Sequence, residues 1–313
     1  MTDSAARGSA DAAAVARDLA EFEAMLSRPR VEPDVTSAYG DHPDQVVDFY
    51  APRGGREGVP LVVVLHGGAW RAPYDRGHLT PFAGFLARRG FAVANVEYRR
   101  GSASEGVAAD GSGDGSGDVE AGGSKPVAGR WPETFDDIAA VMDALPALVA
   151  DALPQADPRR IVVTGHSAGG HLALWAAARH VLPAGSPWRL DAPPLLRGVV
   201  AIAPIADFTS AVELGVCGGA VVQLLGGEAE LKARRDSADP SVLLPTGIAT
   251  AIVHGREDIV VPQAVAEAYV DAAAKAGEMV GMTLLEDVGH YPPVDPGADA
   301  CAVVAEELAQ LAY

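Results

Sequence analysis

The segment Ile161–Arg179, IVVTGHSAGGHLALWAAAR, most constrains what this chain can fold into. It opens with β-branched residues, the composition of a buried strand, and closes with the helix-forming run around Leu172, Leu174 and Trp175. Between them Gly165-His166-Ser167-Ala168-Gly169 forms a G-x-S-x-G motif. In a strand–turn–helix context that motif holds a serine side chain out of a very tight turn, and only residues without a Cβ fit on either side of it. The chain has 35 glycines, so a chance match is not rare and the motif needs support from elsewhere.

The pattern around it supplies a fold class. A helix is expected over residues 11–26, then an edge strand over 45–50 and a turn over the Pro/Gly/Arg cluster 52–58. Leu61–Leu65 (LVVVL) is a continuous apolar run, as in a strand covered on both faces. A helix over 81–89 is stopped by Gly90, and a strand follows over 91–96. A helix starts near Thr134 with a capping-box-like sequence and an apolar face of Phe135, Ile138, Met142 and Leu145. Further strands are expected over 198–203, ending at His254, and over 282–285. Helices follow Pro262, closed by Gly277, and run through Val304 to Leu311. Strands alternating with helices, with apolar central strands, define an α/β fold on a mostly parallel sheet with helices on both faces.

Residues 1–40 read as an N-terminal helical extension to a catalytic domain over 41–313. Within that domain, residues 101–129 are rich in Gly, Ser and Asp and read as a flexible surface insertion, with a lid as the functional alternative. Residues 205–246 are irregular and are candidates for a small cap.

Composition narrows the partners. A net charge of −18 argues against nucleic acid or an anionic membrane, because phosphate binding needs a basic surface. No apolar run is long enough to span a bilayer, and the first residues lack the basic start and apolar run of a secretory signal, so a soluble cytoplasmic protein is expected. Two cysteines, Cys217 and Cys301, give no disulfide framework, and Cys301 shares helical spacing with Val304 and Leu308 as a core residue. His78, His171 and His180 form no metal-ligand pattern, so no metal or other cofactor is expected.

A serine hydroxyl is a weak nucleophile and needs a base, which in turn needs an orienting carboxylate. Such groups belong on loops after the carboxyl ends of strands. His290, in LLEDVGHYPP, and Asp258, in HGREDIVVP, hold such positions; Glu257 and Asp287 are competitors for the carboxylate. His66-Gly67-Gly68-Ala69-Trp70 directly follows LVVVL, and glycines there leave room for backbone N–H groups to converge on one point. Gly67, Gly68 and Ala168 are the candidate oxyanion donors, with Ala69 a further one. His66 is expected to brace this loop and His166 to point aside. Trp70 and Tyr74 are candidate pocket walls, Trp70 equally a core residue.

Taken together, His66-Gly67-Gly68-Ala69-Trp70, Gly165-His166-Ser167-Ala168-Gly169-Gly170, His254-Gly255-x-x-Asp258 and Gly289-His290 resemble the α/β-hydrolase fold serine esterases of the hormone-sensitive-lipase-like group. That group includes kynurenine formamidase (arylformamidase) and bacterial carbohydrate-ester esterase relatives. The H-G-G-x-W form is similar to the formamidase-type members, as is Val96-Glu97-Tyr98-Arg99. The resemblance runs from about residue 45 to the C-terminus, and the insertion at 101–129 departs from it. It implies a triad of Ser167, Asp258 and His290 in the order that fold uses. It implies hydrolysis of a small carboxylic ester, with an N-formylkynurenine formamidase as the alternative. A non-catalytic ligand-binding member is the third reading, and the presence of all three triad residues argues against it.

Overall fold

The computed structural model describes residues 2–101 and 127–313, with side chains from Ala12 onward. In chain order the elements are α1 (Thr2–Leu26), β1 (Val35–Ala38), β2 (Val46–Tyr50), β3 (Val59–Leu65), α2 (Thr80–Arg88), β4 (Ala92–Val96), α3 (Glu133–Ala152), β5 (Ala156–His166) and α4 (Ala168–Ala177). There follow β6 (Gly198–Ile202), α5 (Phe208–Glu213), α6 (Ala220–Leu224), α7 (Glu228–Arg234), β7 (Thr250–Gly255), α8 (Gln263–Lys275), β8 (Gly281–Leu285) and α9 (Asp299–Ala312).

The strands form one sheet in the order β1-β2-β4-β3-β5-β6-β7-β8. β1 and β2 run antiparallel, and every pairing from β4 through β8 is parallel. Strand β3 shows why the centre of the sequence is apolar without alternation. All seven of its residues are buried. Leu61, Val63 and Leu65 pack into a layer with α3, α4 and α8, whereas Val62 and Val64 pack into the opposite layer with α2, α9 and Met25 of α1. Two helical layers leave no wet face, so both parities of the strand must be hydrophobic. Removing a buried side chain such as Leu65 costs about 2–5 kcal/mol through lost burial and the cavity left behind.

Four expectations need correction. Helix α1 begins at Thr2 instead of near residue 11. The strand expected at the sheet edge is internal, because β1 pairs outside it. Val-Thr-Ser-Ala in β1 is mostly exposed and short, so no apolar alternation marks it; it falls within the stretch read as an N-terminal extension. The capping box at Thr134 is absent: Pro132 is the N-cap, without a side-chain bond. The Thr134 hydroxyl instead donates to the Arg99 carbonyl (2.7 Å) and accepts from Arg130 N–H (3.2 Å), tying α3 to the chain after β4. Finally, of the stretch expected as a surface insertion, residues 102–126 lie outside the described residues, but its two ends are packed. Gly101 and Gly129 both donate to the Trp70 carbonyl, and Ala128 is fully buried.

Candidate active site

Ser167 stands between β5 and α4 with φ 57° and ψ −117°, a backbone conformation that costs a non-glycine residue on the order of 1–3 kcal/mol. Three main-chain bonds hold it there. Ser167 N–H donates to Ile202 (2.8 Å), and its carbonyl accepts from His171 (3.1 Å) and Ile205 (3.3 Å). The flanking glycines are obligatory for a packing reason. A Cβ on Gly165 would run into the Gly169 carbonyl, and one on Gly169 into the Leu65 carbonyl, so the elbow is pressed directly against β3.

His290 comes from the loop after β8 and Asp258 from the loop after β7. The His290 Nδ1 lies 2.6 Å from Asp258 Oδ2. The other carboxylate oxygen accepts the N–H groups of Val260 (2.9 Å) and Val261 (2.8 Å), which fixes the carboxylate plane. His254 lies 3.6 Å from the same Oδ2, but its Nε2 donates to the Val261 carbonyl (2.9 Å), and burial holds its ring below the usual histidine range. Of the competing carboxylates, Glu257 turns outward to Arg17 (2.8 Å), and Asp287 makes no bond to His290. His290 Nε2 has no partner among the described residues. Ser167 and His290 line one cavity of about 200 Å³. The Ser167 hydroxyl and the His290 ring are not hydrogen-bonded in this structure; such contacts commonly tighten only around a substrate.

The H-G-G loop lies against the elbow. A Cβ on Gly67 would sit 3.2 Å from that of Ser167, so this glycine touches the serine. Gly68, at φ 104°, and Ala69 line the cavity. Ala168 is the first residue of α4, where an N–H has no intrahelical acceptor. His66 anchors the loop from beneath. Its Nδ1 meets the Gly67 carbonyl (2.8 Å), its Nε2 meets Glu97 (2.8 Å), and its ring stacks on Tyr98 at 4.3 Å. The Tyr98 hydroxyl donates to the His66 carbonyl (2.7 Å). Burial alone would push the Glu97 carboxyl up, but His66 and Arg100 hold it down to about 2.

Of the two places expected for Trp70, the pocket wall and the core, the structure gives the core. With Ala69 and Trp70 both at positive φ, the chain turns the indole inward, where it is fully buried edge-on to His171 and Phe208. Tyr74, by contrast, lines the cavity as expected. Contrary to expectation, His166 does not point aside. It lines the cavity, and its Nε2 donates to the main-chain carbonyl of His290 (2.9 Å), bracing the loop from below. Burial, and then the neighbouring His290, keep its ring neutral.

The sequence reading missed one wall entirely. Phe22, Met25 and Leu26 at the end of α1 close the cavity. Glu21 accepts the Gly289 N–H (3.1 Å), Arg17 pairs with Glu257, and Arg28 grips Asp295 with two nitrogens. The helix is thus stapled across the loops that carry Asp258 and His290. Its amphipathic pattern was the available signal, but periodicity does not say which surface a helix covers.

The chain belongs to the alpha/beta hydrolase fold family, whose pattern matches residues 127–292, more than half the chain. A second family, BD-FAE, matches residues 47–109. Among curated proteins, the chain is 26% identical over 267 residues to a probable isoprenylcysteine alpha-carbonyl methylesterase of Oryza sativa subsp. japonica, covering 80% of this chain and 56% of that protein. It is 23% identical over 218 residues to the probable carboxylic ester hydrolase LipM of Mycobacterium tuberculosis, covering 68% and 44%. The chain therefore spans about half the length of these relatives. Among solved structures, a truncated carbohydrate esterase from gut microbiota superposes with TM-score 0.68 at 17% identity, over 91% of this chain and 99% of the other. Esterase B of Lactobacillus rhamnosis gives 0.67 at 19%, over 99% and 96%. At these identities the likeness is one of fold. No helix among the described residues is long and apolar enough to cross a membrane.

Proposed function

We propose that the chain is a serine hydrolase that cleaves a small carboxylic ester through an acyl-enzyme. The observation that carries this is the His290–Asp258 pair at 2.6 Å, with the second ring nitrogen left without a partner among the described residues, in the cavity that Ser167 also lines. Asp258 holds His290 with its proton on Nδ1, so Nε2 is the base that takes the Ser167 proton as the hydroxyl oxygen attacks the ester carbonyl. The N–H groups of Gly67, Gly68 and Ala168 receive the oxyanion; losing one such donor typically costs about 3 kcal/mol of transition-state stabilisation. The imidazolium then protonates the leaving alcohol, and a water activated by the same nitrogen releases the acid and restores Ser167. The ester-hydrolase names of both curated relatives support this reading. In it, residues 41–313 form the catalytic domain, residues 1–40 supply one wall of its pocket, and 205–246 act as a small cap.

The formamidase alternative drew on the H-G-G-x-W form. Because Trp70 is buried beneath the loop, that tryptophan offers no contact by which to prefer a formamide. The deciding experiment pairs hydrolysis of 4-nitrophenyl acetate and of N-formylkynurenine with labelling by a fluorophosphonate probe. Ser167→Ala is expected to abolish both turnover and labelling in a protein that melts normally; undiminished turnover in that variant rejects the assignment.

A further inference from the structure

Among the described residues the cavity wall carries one fixed charge, and its sign is opposite to that of the chain. Of these residues Arg71 lines the cavity, and no Asp, Glu or Lys does. Its Nη2 donates to the Cys217 carbonyl (2.7 Å), which leaves most of its five N–H donors without a partner among the described residues. Most other partly buried arginines carry a carboxylate, although Arg160 bonds only the carbonyls of Gly58 and Ala312 among the described residues. Arg76 pairs with Asp48 and Glu97, Arg99 with Asp137, Arg28 with Asp295, and Arg179 with Asp143. In a chain with 42 acidic residues and 24 basic ones, carboxylates are abundant, yet none lies within ion-pair distance of this guanidinium among the described residues.

Nothing else on the wall competes or compensates. Burial pushes the Cys217 thiol up to about 11, so it is not a thiolate at neutral pH, and burial pushes the His78 ring down to about 4, so it is not a second cation. The rest of the wall is largely apolar or aromatic, including Phe22, Met25, Leu26 and Val260. A half-buried guanidinium in such surroundings is a planar fork matched to a carboxylate.

We propose that Arg71 is a specificity residue that binds a carboxylate on the substrate, so that the preferred substrate is a small ester carrying a negative charge in one of its halves. This rests on the hydrolase reading of the same cavity. A charge-assisted hydrogen bond of this kind is worth about tenfold to a hundredfold in kcat/KM.

The test compares matched esters in two arms. In the acyl arm, 4-nitrophenyl hemiglutarate is set against 4-nitrophenyl valerate. In the alcohol arm, 3-carboxyphenyl acetate is set against phenyl acetate. The quantity read is the anionic-to-neutral ratio of kcat/KM, which is insensitive to general loss of activity. The ratio is expected to fall at least tenfold from wild type to Arg71→Gln in one arm, mostly through KM, and by less in Arg71→Lys. The same ratio in all three proteins, in both arms, overturns the proposal. Calorimetry on Ser167→Ala separates the two readings. If hemiglutarate binds there and not in Ser167→Ala/Arg71→Gln, while wild type hydrolyses no ester, the recognition stands and the hydrolase reading falls. Turnover of neutral esters without any Arg71-dependent preference gives the reverse.

Discussion

The pairs His290–Asp258 and His66–Glu97 are made of the same parts. Each is a buried imidazole bonded to a buried carboxylate, at 2.6 and 2.8 Å, on a loop leaving the carboxyl end of a strand beside Ser167. They differ in what becomes of the second ring nitrogen. In His66 it is taken by the Gly67 carbonyl, so neither nitrogen is free to accept a proton. In His290 it has no partner among the described residues, and the residue lines the cavity. The carboxylates differ as well. Asp258 spends its other oxygen on main-chain N–H groups of its own loop, whereas Glu97 takes the Tyr98 N–H and the Arg100 side chain of its own loop together with Arg76 from the segment after β3. In the proposed mechanism one pair exchanges a proton, while the other fixes the backbone of the H-G-G loop.

The comparison breaks most sharply on His290→Ala. Turnover of a chromogenic ester should fall by about 10⁴ or more, with the melting temperature within a few degrees of wild type. An active variant would put the base elsewhere. Asp258→Asn should lose on the order of 10³–10⁴ in kcat, because an amide N–H facing His290 Nδ1 forces the wrong tautomer; a mere few-fold loss in steady-state kinetics would demote the carboxylate to a packing role. His66→Ala should show the inverse profile. Removing it takes one hydrogen-bond partner from the buried Glu97, which keeps Arg100 and Arg76, at a cost of about 1–3 kcal/mol in urea unfolding, with a smaller kinetic loss per folded molecule than His290→Ala. Equal unfolding curves for His66→Ala and wild type would contradict the bracing role.

The smallest effect separates the two kinds of buried group by pH. Burial holds His171 down to about 4, partly opposed by its bond to the Ala238 carbonyl. An unfolded chain, with its histidine near 6.5, takes up that proton first, so the stabilisation is complete above about pH 6.5 and declines as pH falls toward 4. Glu97, held to about 2 against an ordinary 4.5, gives up its contribution only below about pH 4.5. Melting temperatures between pH 7 and 5 should therefore decline less steeply in His171→Gln, whereas Glu97→Gln should leave that slope unchanged. Identical slopes for wild type and His171→Gln would remove the histidine from the account.

The sheet and the elbow were legible in the sequence because their causes are local. Strand β3 is apolar at both parities, and Gly165 and Gly169 flank Ser167 within five residues. The spacing from His254 favours Asp258 over Glu257 as the carboxylate, and in the structure Asp258 bonds His290 while Glu257 pairs with Arg17. What was left open or missed has a different cause. Trp70 is the same residue whether it faces the cavity or the core; the positive φ values of Ala69 and Trp70 decide, and no neighbouring residue type announces them. Strand β1 owes its place to hydrogen bonds with β2, not to side-chain burial. The wall supplied by α1 depends on contacts such as Glu21–Gly289, 268 residues apart, which no window of sequence contains.

That last contact has a consequence for how such a pocket can be altered. The cavity wall formed by α1 and the histidine beside it are encoded far apart in this sequence. Exchanging the first helix between homologous genes would replace Phe22, Met25 and Leu26 as a block while leaving Ser167, Asp258 and His290 untouched. The segment coding for α1 is thus a cassette, and recombination there would reshape what the cavity admits without altering the proposed triad.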